Sequence, residues 1–254
     1  MSILQEILRH KEGEVEELRR RGVEPPGIAP APPRGFRAAL LSHPGVAVIA
    51  EAKKASPSKG LLCPEFDPAG LARRYEEQGA SAMSVLTDRR FFQGSLAHLL
   101  EAREAAGLPV LRKDFIIHHI QVEEARAWGA DAILLIVAAL PPSLLQELYL
   151  HAKELGMDCL VEVHTPAEAE TALKAGVDLL GVNNRDLTTF RVTISTTFEV
   201  LDAVQGEVPV VSESGISTCD QMRALRDAGV AAALIGEAVV TGRSSLAELV
   251  ECGR

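Results

Sequence analysis

The chain has 254 residues, 47% of them hydrophobic, with 26 Lys and Arg against 35 Asp and Glu and a net charge of −9. That length can bury one sizeable core and suits a single α/β barrel. The acidic balance argues against a nucleic-acid partner or an anionic membrane surface, both of which call for clustered cations, so an anionic ligand must find a local basic pocket.

In chain order, Ser2 with Gln5 predicts a capping box, and Leu4, Ile7, Leu8, Lys11, Val15 and Leu18 recur at helical spacing as far as Arg21. The stretch from Pro25-Pro26-Gly27 through Pro32-Pro33 cannot continue that helix. Residues 1–45 thus read as a helix and a proline-rich connector ahead of the first strand. Such a helix could plug the barrel bottom, offer a partner surface or cover an active-site mouth.

From there a glycine followed by a short apolar run recurs eight times, at Gly45, Gly79, Gly107, Gly129, Gly156, Gly176, Gly206 and Gly229. Glycine suits the left-handed position at a helix C-terminus, so each is expected to mark a helix-to-strand passage. Runs such as Ile133-Leu134-Leu135-Ile136-Val137 are apolar on both faces, as parallel strands covered by helices are. Eight strand–helix units predict a (β/α)₈ TIM barrel as one domain over 1–254, of class α/β with an N-terminal extension helix. The alternative is an open doubly wound sheet, but no GxGxxG follows the first strand to favour dinucleotide binding.

Barrel enzymes carry their reacting groups at the C-terminal ends of strands, and there this chain turns polar. The first strand ends Ile49-Ala50-Glu51-Ala52-Lys53-Lys54-Ala55-Ser56-Pro57-Ser58, with Glu51 and Lys53 on one face by the two-residue strand period. The third ends Arg112-Lys113-Asp114-Phe115, and the fifth places Glu162 inside Leu160-Val161-Glu162-Val163-His164. Ionisable groups buried this way must pair or shift their pKa, which suits acid–base work as well as a structural salt-bridge cluster. Four of them at three strand ends weaken the structural alternative.

At the sixth strand end, Gly181-Val182-Asn183-Asn184-Arg185-Asp186-Leu187, Asn183 and Arg185 share a face and could hold a carboxylate. The seventh ends Ser212-Glu213-Ser214-Gly215-Ile216 and the eighth Ile235-Gly236-Glu237-Ala238, where a short helix could begin. Glycines at these two ends, with N–H groups at a helix start, form the fold's recurrent phosphate cradle.

Taken together, the segments Ile49 to Ser58, Ser84-Val85-Leu86-Thr87-Asp88 running to Phe92-Gln93-Gly94-Ser95, and Arg112-Lys113-Asp114-Phe115-Ile116 resemble the indole-3-glycerol-phosphate synthase family, and the resemblance covers essentially the whole chain. It implies ring closure, decarboxylation and dehydration of 1-(2-carboxyphenylamino)-1-deoxyribulose 5-phosphate in tryptophan biosynthesis, with no metal or other cofactor. In that scheme Lys113 is the general acid, Glu162 the second acid–base group, and Glu51 and Lys53 their relay partners. Asn183 and Arg185 fall on the anthranilate side, Ser56 in the pocket, Phe92 and Phe115 wall the aromatic ring, and Ser214, Gly215, Gly236 and Glu237 form the phosphate site. A carboxylate beside a phosphate is unfavourable, so the Glu237 backbone N–H is expected to contribute while its side chain points away.

Rival expectations are another phosphate-binding barrel enzyme, such as an aldolase or the isomerase of the preceding tryptophan-pathway step, and a catalytically silent barrel subunit. A Schiff-base aldolase would present lysine where Asn183 stands, and the isomerase would need a cysteine near the end of strand one. The cysteines, Cys63, Cys159, Cys219 and Cys252, are widely spaced without a CxxC pair and read as reduced thiols of a cytoplasmic protein. Neither a signal-peptide core nor a membrane-length apolar run is expected, and other enzymes of the tryptophan pathway are candidate partners. His118-His119 lacks a third ligand at metal-site spacing and reads as a cap or surface pair, His164 as a partner of Glu162 or a packed polar residue, and Tyr75 and Trp128 as packing residues.

Overall fold

In the computed structural model, residues 2–27, 30–57, 59–186, 189 and 191–254 are described. Met1, Ile28, Ala29, Ser58, Leu187, Thr188 and Phe190 lie outside the described residues; Ser58 ends the first motif and Leu187 the sixth-strand run.

Helices α1 (Ile3–Arg21) and α2 (Phe36–Leu41) precede β1 (Ala47–Ala52), and β2 (Ala55–Ser56) with β3 (Gly60–Leu61) makes a small antiparallel hairpin beyond it. The other barrel strands are β4 (Ala82–Leu86), β5 (Val110–Lys113), β6 (Ala132–Ile136), β7 (Asp158–Val163), β8 (Leu180–Asn183), β9 (Val210–Glu213) and β10 (Ala232–Ile235). Between and after them run the helices α3 (Pro68–Glu77), α5 (Leu96–Ala105), α6 (His119–Ala127), α7 (Pro142–Glu154), α8 (Pro166–Lys174), α9 (Ser195–Val204), α10 (Cys219–Asp227) and α12 (Leu246–Gly253). Single turns, α4 (Arg89–Phe92) and α11 (Glu237–Val240), follow β4 and β10. Eight parallel strands close in the order β1-β10-β9-β8-β7-β6-β5-β4, which is the (β/α)₈ barrel expected.

Six of the eight glycines do take the left-handed conformation, with φ between +78° and +86° at Gly79, Gly129, Gly156, Gly176, Gly206 and Gly229. Gly45 and Gly107 do not. They are needed for close approach: a Cβ on Gly45 would strike the Gly253 carbonyl, and one on Gly107 would lie 2.9 Å from the Glu76 carboxylate.

The two-residue period sorts side chains between two cores. One fills the barrel with Ala47 and Ile49 of β1, Leu111 of β5, Leu160 of β7, Val211 of β9 and Leu234 of β10. The other lies between barrel and helices, with Val48, Val110, Val161, Val210 and Ala233. One period beyond the inward series come Glu51, Lys113, Glu162, Glu213 and Gly236. The packed interior therefore fixes the direction of each polar group above it.

The N-terminal segment divides between the barrel's ends. Ser2 and Gln5 form the capping box of α1, and Ile3, Leu4 and Ile7 border a cavity at the C-terminal ends of the strands. Helix α2, which the sequence reading did not separate from the connector, seals the opposite end, with Phe36 and Leu40 packed against Ala47, Ala132 and Ala232. Nearby, the Arg34 N–H donates to Asp131 and the Arg37 N–H to Asp158, each at 2.8 Å.

One expectation about the cysteines is corrected. Cys219 of α10 and Cys252 of α12 form a disulfide with 5.3 Å between their Cα atoms, while Cys63 and Cys159 are free. The two outer helices pack side by side, a proximity that a spacing of 33 residues does not disclose. No helix among the described residues is long and apolar enough to cross a membrane.

Candidate active site

The strand ends converge on a cavity of about 440 Å³. Its lining includes Glu51, Lys53, Ser56, Phe92, Lys113, Phe115, Glu162, Asn183, Arg185, Ser214, Gly215, Gly236 and Glu237, which are all the acid–base, substrate and phosphate residues that the family resemblance implies.

At its floor Lys113 and Lys53 meet buried carboxylates. Lys113 Nζ donates to Glu213 Oε2 at 2.5 Å and lies 3.8 Å from Glu51 Oε2, while Lys53 Nζ donates to Glu51 Oε1. Burial works against charge on Glu51, but Lys53, Lys113 and Arg185 outweigh it and hold the carboxyl below its ordinary range. Burial likewise works against the Lys113 ammonium, yet Glu213, Glu51 and Glu162 keep it above the usual lysine value. Glu213 goes the other way. Its burial, with Glu162 and Glu51 nearby, outweighs Lys113 and pushes its pKa up to about 7. Its Oε1 has no hydrogen-bond partner among the described residues, in keeping with a carboxyl that holds a proton near neutrality.

The sequence reading assigned no role to Glu213. The signal is in Val211-Ser212-Glu213, where an inward Val211 implies an inward Glu213, but it stands beside Ser214-Gly215, whose own pattern points to an anion site. A neighbouring bare Cα is also required, because a Cβ on Gly181 would collide with the Glu213 carboxylate.

On the next side, His164 Nε2 lies 3.4 Å from Glu162 Oε1, and its other ring nitrogen lies 3.4 Å from Glu168. Burial would lower its pKa, but Glu168 and Glu162 raise it. The Arg185 N–H donates to Asn183 Oδ1 at 3.1 Å. Asn184 points away from the cavity and donates to Ser212 Oγ and the Ser214 carbonyl, tying β8 to the β9 loop. The rings of Phe92 and Phe115 are 6.2 Å apart at a 33° tilt. Ser56 Oγ is buried without a partner among the described residues, although it borders the cavity.

The far end is built by two loops. Ser214 and Gly215 both have positive φ, 68° and 82°, and a serine held there carries backbone strain of the kind found at functional sites. Ser244 Oγ donates to the Ser217 carbonyl at 2.7 Å and joins the β9 and β10 loops. Gly236 caps α11, and a Cβ on it would lie 2.5 Å from Glu51 Oε1. A bulky residue there would disturb Glu51 as well as any anion, so Gly236→Leu would not isolate phosphate binding. The Glu237 carboxylate binds Lys59 at 2.6 Å and also binds Arg243, two cations the sequence reading had passed over. It is thus paired rather than bare.

His118 caps α6 in a capping box with Gln121, matching the capping role. Among the described residues no group of His, Cys, Asp and Glu is arranged to hold a metal ion. Tyr75 is buried and donates from its hydroxyl to the Glu51 carbonyl, and Trp128 Nε1 donates to the Glu24 carbonyl.

The chain is also close in sequence to known proteins. Residues 4–251 match the family model described as indole-3-glycerol phosphate synthase. The indole-3-glycerol phosphate synthase of Desulfotalea psychrophila is 55% identical over 97% of this chain and 98% of its own length. That of a Roseiflexus species is 48% identical over 99% and 98% respectively. Among solved structures, thiamine phosphate pyrophosphorylase from Pyrococcus furiosus has a TM-score of 0.60 at 20% identity, covering 82% of this chain and 95% of that one, a likeness of fold alone. With its family model matched almost end to end and its strand-end residues gathered in one cavity, the chain belongs to the indole-3-glycerol phosphate synthase family.

Proposed function

We infer that the chain closes and decarboxylates 1-(2-carboxyphenylamino)-1-deoxyribulose 5-phosphate, giving indole-3-glycerol phosphate, carbon dioxide and water. The observation that carries this reading is the gathering of all the expected polar and aromatic residues around one cavity, on a chain of this family. The reaction needs a folded substrate and a proton delivered to the right oxygen, because ring closure itself creates the electron sink for loss of carbon dioxide.

In this proposal Lys113 protonates the substrate carbonyl oxygen as the aromatic carbon attacks. The acidic groups around it, Glu213, Glu51 and Glu162, hold its pKa above the ordinary lysine value, so it stays protonated through neutral pH, as a proton donor must. Glu162, steadied by His164, serves the later loss of water, and Glu51 with Lys53 completes the relay. Asn183 and Arg185 receive the anthranilate carboxylate, Ser56, whose hydroxyl has no partner among the described residues, lines the pocket, and Phe92 and Phe115 hold the aromatic ring. Ser214, Gly215, Gly236 and the Glu237 backbone N–H receive the phosphate, with the Glu237 carboxylate neutralised by Lys59 and Arg243. Holding both ends bends the chain between them, so binding energy remote from the new bond favours closure. A cytoplasmic setting, with substrate supplied and product removed by other enzymes of tryptophan biosynthesis, belongs to the same proposal.

The test is to add this substrate to the purified protein and follow indole fluorescence. Saturable formation of indole-3-glycerol phosphate is expected; a folded protein that forms none would overturn the assignment and favour a silent barrel.

A further inference from the structure

A lysine on a surface helix ordinarily keeps its ammonium in water. Lys11 of α1 is only 2% exposed. Its Nζ lies 2.9 Å from Asp88 Oδ2, 2.9 Å from Asp114 Oδ1 and 2.6 Å from Glu14 Oε2. Glu14 is its neighbour on α1, but Asp88 and Asp114 come from the ends of β4 and β5, so one buried cation joins three elements.

Both carboxylates also hold backbone beside the aromatic pair. Asp88 is the N-cap of α4 and its Oδ1 accepts the Phe91 N–H at 2.7 Å, fixing the turn that ends in Phe92. Asp114 Oδ1 accepts the Phe115 N–H at 2.8 Å, while its Oδ2 accepts from Thr87 and Arg112. Without the ammonium, two buried carboxylates from adjacent loops would face each other, and Asp88, which makes no other ion pair among the described residues, would lose its counter-charge. Asp114 would keep Arg112. The strain would therefore fall mainly on α4 and shift Phe92 relative to Phe115.

We propose that Lys11 is a positioning residue that sets the spacing of Phe92 and Phe115, so that the slot for a flat aromatic ring is complete only when α1 is docked. This explains why a lid helix carries a buried charge where an apolar residue would pack at lower desolvation cost. Ile3, Leu4 and Ile7 of the same helix border the cavity, so one docking event both covers the site and shapes it.

The kinetic readout rests on the proposed reaction, so wild-type turnover is measured first. In the full chain, Lys11→Met is expected to raise KM at least about tenfold while kcat falls less than about threefold, because the ring seat is misplaced and the proton donor is not. Lys11→Arg should recover most of that loss. Asp88→Asn, which keeps Lys11, should raise KM in the same direction, and the double variant Lys11→Met with Asp88→Asn should be clearly less than additive. A Lys11→Met protein that melts earlier but keeps wild-type KM would reduce Lys11 to a folding staple and overturn the proposal, as would a loss confined to kcat. If Lys11→Met does not fold, Asp88→Asn decides by the same KM criterion. Should the wild type prove inactive, hydrogen exchange decides independently: faster exchange at the Phe91 and Phe115 amides of Lys11→Met, with the other strand ends unchanged, supports the proposal, and unchanged exchange there sinks it.

Discussion

Lys113 is the last residue of β5, its direction set by Leu111 two positions earlier in the barrel interior. The same period carries it to Glu213 and toward Glu51, so proton donor and carboxylates meet because three strands share one pattern. Replacing Lys113 with Ala should lower kcat by about 10²–10⁴-fold or more with little change in fold, as loss of a positioned general acid does. A purified variant with a near-wild-type kcat would remove Lys113 from the proton-donating role. Glu213 gives a pH prediction of definite sign. Its folded pKa near 7 lies above the ordinary 4.5, so the native state binds the extra proton between those values. That contribution to stability is fully present below about 4.5 and is lost as pH rises through about 7. Glu51, held low, contributes in the opposite sense and is lost on acidification. Glu213→Gln should therefore flatten the fall in unfolding free energy between pH 5 and pH 8, measured by urea unfolding at each. An unchanged fall would show that Glu213 does not take up that proton. Most site residues were legible because a charge in an apolar strand is conspicuous, as with Glu162. Lys59 and Arg243 were not, since an exposed cation in a polar loop resembles any other until a partner is placed beside it.

At the scale of elements, the segment before β1 does two separate jobs. Helix α1 has Ile7, Val15 and Leu18 buried on one face and reaches the cavity with its first turns. Helix α2 buries Phe36 completely under the strand starts, where Arg34 also donates to the Ala106 and Leu108 carbonyls. Phe36→Ala should cost about 3–5 kcal/mol of stability by opening a cavity in the barrel interior, yet leave KM unchanged, since α2 lies at the end remote from the substrate. Denaturant melts and steady-state kinetics separate these effects, and an altered KM with intact stability would contradict the division. The proline run hid α2 because Pro25 to Pro33 signals the end of a helix and says nothing of a six-residue helix beyond it. The barrel helices were easier to place, since left-handed glycines such as Gly129 and Gly176 mark their ends. Gly45 and Gly107 carry the same residue type for a different reason, which only the packed neighbours disclose.

For the whole molecule, closure of the barrel brings β1 beside β10, and α12 lies against β1, with the Val46 N–H donating to the Gly253 carbonyl at 2.9 Å. The last helix thus seals the seam between the first strand and the last. The Cys219–Cys252 disulfide fastens it to α10 and closes a loop that contains all of β10. For a spacing of 33 residues, the loss of chain entropy in the unfolded state corresponds to roughly 3–4 kcal/mol of stabilisation. The β9 loop is also held independently, since Gln221 donates to the Gly215 carbonyl and Ser244 to the Ser217 carbonyl. Reducing the disulfide, or replacing both cysteines with Ser, should therefore lower the urea midpoint substantially while kcat and KM stay within about twofold of the oxidised enzyme. An unchanged midpoint would mean that burial of Leu246, Leu249 and Val250 and the Val46–Gly253 hydrogen bond hold α12 without the disulfide. A large rise in KM would instead show that the bond reaches through α10 to the Ser214–Gly215 turn, making the seam part of the binding site and not only of the fold.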